Sequence, residues 1–128
     1  MKKKNDGFTL AELLIVVAVI GVLVAISIPI FSQQLHKARV AADWANVRSY
    51  YSHLQYDFLE TGKINDAYLH DTNGTYTDGI KSFNPSGETV KLTAGSMWIR
   101  EKGKSAGYNI LYVCDKLDPD CELILPVS

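Results

Sequence analysis

The chain predicts an α+β fold: one long N-terminal α-helix, with a membrane-spanning half and an amphipathic half, packed on a small antiparallel β-sheet of three or four strands. Three observations carry this. An almost unbroken apolar run extends from Leu13 to Phe31, with Glu12 at its mouth. Apolar residues then recur at spacings of four and three from Val40 to Phe58, the period of one helix face. Four short strand signals separated by turn residues fill the C-terminal third.

The N-terminal segment differs from a secretory signal, whose apolar stretch of about 7 to 15 residues ends in a small-residue cleavage site. Here the run is longer and passes into Ser32-Gln33-Gln34-Leu35-His36-Lys37-Ala38-Arg39, a polar helical sequence without such a site. The 19 residues from Leu13 to Phe31 span roughly 28 Å as a helix, close to the hydrocarbon thickness of a bilayer. Lys2, Lys3 and Lys4 bias the N-terminus to the cytoplasm and place the chain after Phe31 outside. An acidic side chain at the centre of an inserting helix costs about 2.5 to 3.5 kcal/mol, and less near the interface. Glu12 therefore has two readings: a helix-start carboxylate favoured by the macrodipole, or a carboxylate that meets a cation from another copy of the chain. Gly21 and Pro29 interrupt the run. Pro29 cannot donate to the carbonyl of Ala25, which predicts a kink or a locally melted stretch partly satisfied by Ser27, although membrane helices tolerate both residue types.

From residue 32 to 61 the pattern stays helical, with Val40, Trp44, Val47, Tyr51, Leu54 and Phe58 as one apolar stripe and Arg39, Asp43, Asn46, Arg48, Gln55 and Asp57 largely off it. Trp44, Tyr51 and Phe58 are read as core, not as an electron path. Thr61-Gly62 ends a helix of about 50 residues, with Gly62 as the αL cap. Residues 62–87 read as a loop, punctuated by Asn73-Gly74, Asp78-Gly79, Asn84-Pro85 and Ser86-Gly87. Its oxygen-rich stretch from Asp71 to Asp78 lacks the spacing and terminal Glu of an EF-hand, so turn chemistry explains it better than calcium. Asn73-Gly74-Thr75 is formally a glycosylation sequon. Residues 88–128 read as a β-meander with strands at Thr89–Leu92, Met97–Glu101, Tyr108–Cys114 and Glu122–Val127. Ile99, Ile110, Tyr112, Leu123 and Leu125 supply its apolar face.

The part beyond residue 31 holds under about 100 residues, a size that usually needs a long helix to pack on, a disulfide or oligomerisation. Cys114 and Cys121 bracket the last turn and suit an oxidising exterior. Bridged, they would close a loop of about eight residues and stabilise by roughly 2.5 kcal/mol. Free thiols are the alternative in a reducing setting.

Composition excludes several function classes. A net charge of −1 does not make a nucleic-acid surface. The Arg100-Glu101-Lys102-Gly103-Lys104 cluster reads as a solvated hairpin turn. His36, His53 and His70 lack metal-ligand spacing, His36 and His53 falling on the solvated helix flank, and the sequence has no HExxH motif and no phosphate-cradling Gly loop. No catalytic residue, metal or cofactor is expected.

Gly7-Phe8-Thr9-Leu10-Ala11-Glu12-Leu13-Leu14-Ile15-Val16-Val17 resembles the N-terminal signature of type IV pilins and of the pseudopilins of type II secretion systems. The pattern is a basic leader ending in Gly, then Phe, a Thr-Leu pair, a Glu five residues into the mature chain and an apolar helix; the close match covers about the first 35 residues. The resemblance implies a pilin-like fold and three segments: leader 1–7, transmembrane and assembly helix 8–31, and globular domain 32–128. It implies cleavage by the prepilin peptidase between Gly7 and Phe8, N-methylation of Phe8, and pairing of Glu12 with the Phe8 amine of a neighbouring subunit. Gly21 to Pro29 would be the zone that unwinds in some assembled pili. Cys114 and Cys121 are similar to the C-terminal disulfide loop of many pilins, in a shorter form. The implied role is a structural subunit, not an enzyme, of a type IV pilus serving adhesion, motility or DNA uptake. It would pass once through the inner (cytoplasmic) membrane before assembly and then lie in a homo-oligomeric filament on the cell surface. Implied partners are copies of itself and related pilins, the peptidase, the membrane platform of the assembly machinery and the lipid bilayer, without nucleic acid. The alternative is a pseudopilin of a type II secretion system, although Asp115 to Glu122 does not reproduce the calcium loop of the major pseudopilins. A membrane-anchored enzyme or receptor is a third class, opposed by the missing chemical constellation.

Overall fold

The computed structural model describes residues 7–70, 76, 79–103, 106–116 and 119–127. The leader lysines, the oxygen-rich stretch from Asp71 to Asp78 apart from Tyr76, the sequon and Lys104 lie outside these residues. Helix α1 runs over Leu10–Thr61, 52 residues with Pro29 inside it. Its end follows the expected chemistry: Gly62 takes φ +67° and donates its N–H to the Phe58 carbonyl at 2.8 Å, the αL cap that a side chain with a Cβ adopts at a cost.

Two units divide the chain, Met1–Leu35 and His36–Ser128. In the first, every described residue is exposed, including the whole apolar run. The helix continues through Gly21 and Pro29, and Ser27 Oγ donates to the Leu23 carbonyl at 2.7 Å, a bond common where membrane helices carry Ser.

The second unit has its own core. Strands β3 (Gly95–Glu101), β4 (Tyr108–Cys114) and β5 (Leu123–Leu125) form an antiparallel meander. The register sets Ile99 opposite Ile110 and Tyr112 opposite both Met97 and Leu123. Burial alternates along β4, as a sheet with one covered face requires. Met97, Ile99, Tyr108, Ile110, Tyr112, Leu123 and Leu125 are buried, as are Val40, Val47, Tyr50 and Leu54 of α1. Trp44, Tyr51 and Phe58, expected on the stripe, are only partly buried against that core. The axis of the buried face is 40, 43, 47, 50, 54, so Asp43 and Tyr50 lie inside it.

The C-terminal half departs from the expected single meander. Thr89–Leu92 does not extend it; instead β2 (Val90–Lys91) pairs with β1 (Ser82–Phe83), a separate two-stranded ribbon drawn from the stretch read as loop. Phe83 explains the ribbon, because its ring is buried and stacks on Tyr50 with centroids 4.5 Å apart, an apolar gain that outweighs the turn residues around it. The same stretch contains a 3-10 turn at Asp66–Tyr68, capped by Asn65 Oδ1 accepting from the Ala67 N–H. His70 and Ile80 make single bridges to Ile99 and Met97. These cover the outer edge of β3, where open N–H and C=O groups would invite pairing with another chain.

Two local features lock the meander. Cys114 and Cys121 are joined by a disulfide with Cα atoms 5.8 Å apart, the bridged one of the two arrangements the sequence leaves open. Gly95 has no room for a side chain: an added Cβ would strike the Val113 carbonyl and lie 2.7 Å from the Tyr112 ring. Gly95→Ala is therefore expected to lower stability by about 1 to 3 kcal/mol through overpacking; urea unfolding of the full-length chain in detergent micelles measures it.

Candidate functional site at the head of the helix

Thr9 and Glu12 cap the helix reciprocally. The Thr9 N–H donates to Glu12 Oε2 at 2.9 Å and the Glu12 N–H donates to Thr9 Oγ1 at 3.3 Å, a capping box with Thr at N-cap and Glu at N3. Leu13 N–H to Thr9 C=O, at 3.2 Å, is the first turn of the helix. The carboxylate therefore sits at the positive end of the macrodipole, where it is stabilised. The two sequence readings of Glu12 are compatible, because a carboxylate offers about four acceptor sites and the cap engages only part of that capacity. The Gly7-Phe8 bond precedes the helix and is exposed, and cutting it leaves the capping box intact.

Behind Glu12 the helix is apolar on every side. Leu13, Leu14, Ile15, Val17, Ile20, Leu23, Ile26 and Ile28 each keep more than half their surface exposed. A helix apolar all round needs lipid or other helices to cover it. Ala11, Ala18, Gly21 and Ala25 lie among these side chains, and such small residues let helices approach closely in a bilayer. The segment is long and apolar enough to cross a membrane.

The second unit contains the residue that spacing missed. Asp43 is 1% exposed. Its carboxylate accepts from the Thr93 N–H at 2.9 and 3.1 Å, from Thr93 Oγ1 at 3.2 Å, from the Ala94 N–H at 2.8 Å and from the Tyr112 hydroxyl at 2.8 Å. One acid thus ties α1 to the segment leading into β3 and to the middle of β4. Its position three after Val40 and four before Val47 was the available signal, because that interval places it on the core face.

Burial, reinforced by the Asp43 hydrogen bond and charge, pushes the Tyr112 hydroxyl well above the ordinary phenol range. Tyr50 and Tyr108 are also raised, chiefly by burial. A phenol raised in the folded state contributes stability that is complete below its unfolded pKa of about 10 and is lost as pH climbs towards the folded value. The domain is expected to unfold in alkali above about pH 10, with far-UV circular dichroism lost together with the appearance of phenolate absorbance. Phenolate absorbance completed while the dichroism stays native would contradict this.

Residues 2–28 match the family described as the prokaryotic N-terminal methylation motif. The chain is 28% identical over 102 residues to type IV major fimbrial protein FimA of Dichelobacter nodosus, covering 80% of this chain and 64% of that one. It is 38% identical over 63 residues to type IV major pilin protein PilA of Myxococcus xanthus, covering 49% of this chain and 29% of the relative. It is 51% identical over 112 residues to the type IV narrow pilus major component PilA5 of Thermus thermophilus, covering 84% of this chain and 97% of the relative. No solved structure matches the chain.

Proposed function

The chain belongs to the type IV pilin family, and from that premise we propose that it is a structural subunit of a type IV pilus, processed after Gly7 and polymerised through its N-terminal helix. Residues 1–7 serve as the leader, 8–31 as the membrane and assembly helix, and 32–128 as the domain the filament displays. The observation that carries this reading is a helix exposed and apolar on every side, headed by a carboxylate already ordered by its own cap. Before assembly the bilayer covers that surface; in the filament other copies do.

Cleavage by the prepilin peptidase removes Lys2, Lys3 and Lys4, which hold the precursor in the cytoplasmic membrane, and creates an amine on Phe8. Methylation keeps its charge. An ammonium at the positive end of a helix dipole is disfavoured there, so a carboxylate from a neighbouring subunit relieves it. Glu12 is the group placed to do so. Extraction by the membrane platform then exchanges lipid for helix contacts, and local melting between Gly21 and Pro29 lets the filament stretch.

A pseudopilin of a type II secretion system is the second reading. The pilus is favoured because the relatives are named as pilus and fimbrial subunits and because a disulfide closes the segment from Cys114 to Cys121, where a major pseudopilin has its calcium loop. Deleting the gene separates them. A pilus subunit is expected to leave cells without its surface filaments and with secretion intact; filaments unchanged and secretion lost would favour the pseudopilin.

A further inference from the structure

His36 was expected on the solvated flank of the helix, yet its Nε2 is buried and has no hydrogen-bond partner among the described residues. The imidazole ligand atom and the two sulfurs of Cys114 and Cys121 all lie within 4.8 Å of one another. The three come from different elements: α1, the end of β4 and the 3-10 turn Pro119–Cys121. A buried polar atom without a partner costs about 1 to 3 kcal/mol and calls for an explanation such as a redox role or an ion.

We propose that His36, Cys114 and Cys121 form a redox-gated site for a thiophilic metal ion of the Zn2+ class, open while the cysteines are reduced and closed by the disulfide. Two thiolates and one neutral imidazole are a ligand set that suits zinc, with a fourth position left for solvent. A tetrahedral ion with metal–sulfur bonds of about 2.3 Å and a metal–nitrogen bond of about 2.0 Å holds its ligand atoms about 3.5 to 3.8 Å apart. The spread of 4.8 Å is within a small side-chain rotation of that arrangement once the sulfurs are no longer bonded. The imidazole then becomes a ligand, its unpartnered Nε2 being a nitrogen open to that role.

The chemistry balances without an added reductant in the newly made chain, because its cysteines begin as thiols. Two thiols take up one divalent ion and release two protons. Closure later removes the ion: the two thiolates give up two electrons to an oxidant of the thiol–disulfide class, and the Cys114–Cys121 bond forms. The ion keeps the two thiolates together and away from the cysteines of neighbouring chains until that oxidation.

The test uses the full-length chain in detergent micelles, reduced with a phosphine, freed of reductant under argon, and titrated with Co2+ and then Zn2+. The expected result is one Co2+ per chain with the visible absorption of tetrahedral thiolate coordination, displaced by Zn2+. His36→Ala is expected to weaken binding at least about tenfold, the scale of losing even an outer partner of a ligand. His53→Ala should leave it unchanged and Cys114→Ser should abolish it. The fold of each histidine variant is checked in its oxidised form. X-ray absorption of the wild-type Zn2+ form, which needs no variant, is expected to show two sulfur ligands and one imidazole. Equal affinity of His36→Ala and wild type, absorption spectra without an imidazole, or a reduced chain that loses its fold and does not recover it with Zn2+ would each overturn the proposal.

Discussion

Glu12→Gln is expected to abolish incorporation of the subunit into filaments while leaving it inserted and folded in the membrane. The substitution is informative because Gln at the third helical position still reaches back to the cap, so the Thr9 interaction survives and only the charge is lost. In the assembled helix bundle the neighbouring Phe8 amine would then be buried without its partner. Breaking a buried pair from one side weakens association on the order of a hundredfold or more per junction. Glu12→Val removes the charge and the carboxylate half of the cap, leaving Thr9 Oγ1 to accept from the backbone N–H at position 12, and should behave no better. Thr9→Val, which removes the hydroxyl half of the cap and keeps the charge, is expected to assemble far more readily than either. Quantifying subunit in sheared filaments against subunit in membranes reads all three. Normal incorporation of Glu12→Gln beside wild-type copies would remove Glu12 from the assembly mechanism.

Asp43→Ala is expected to destabilise the globular domain by about 3 to 5 kcal/mol, the cost of stripping one partner from a buried charged network, out of a total of about 5 to 15 for a domain. Truncation leaves the Ala94 N–H and the Tyr112 hydroxyl without the acceptor that now takes both at 2.8 Å. Asp43→Asn should cost nearly as much, because half of its amide presents a donor to donors. Tyr112→Phe removes a single hydrogen bond and is expected to cost about 1 to 2 kcal/mol. The double variant should cost less than the sum, since the two side chains share that bond. Urea unfolding of the full-length chain in micelles measures the series. A loss below about 1 kcal/mol for Asp43→Ala, the value of an ordinary hydrogen bond, would mean that the network does not hold α1 to the sheet.

The N-terminal half is the more legible part, because its signals are local. The apolar run and the Gly62 stop depend on residues within a turn or two of one another and appear as the spacing implies, whereas the Thr9 to Glu12 box, an equally local pattern, emerges only from the structure. Strand β4 was legible to the residue, since Tyr108 to Cys114 alternates between faces and is bounded by turns. What failed depended on distant partners. Phe83 forms a strand because Tyr50 of the helix gives its ring a place to stack, and nothing near Phe83 announces this. Helical periodicity marks faces by polarity, which puts Asp43 on the polar flank. A buried acid served by backbone N–H groups 50 residues away inverts that rule. His36 was misplaced for the same reason, its neighbours being cysteines at the far end of the chain.

Processing at Gly7 and polymerisation through the helix it releases would leave a cleaved, methylated N-terminus in every filament subunit. Mass spectrometry of the main component of filaments sheared from the cell surface tests it most directly. The expected component begins at N-methylated Phe8 and carries the Cys114–Cys121 disulfide. Filament material that begins at Met1 would contradict it.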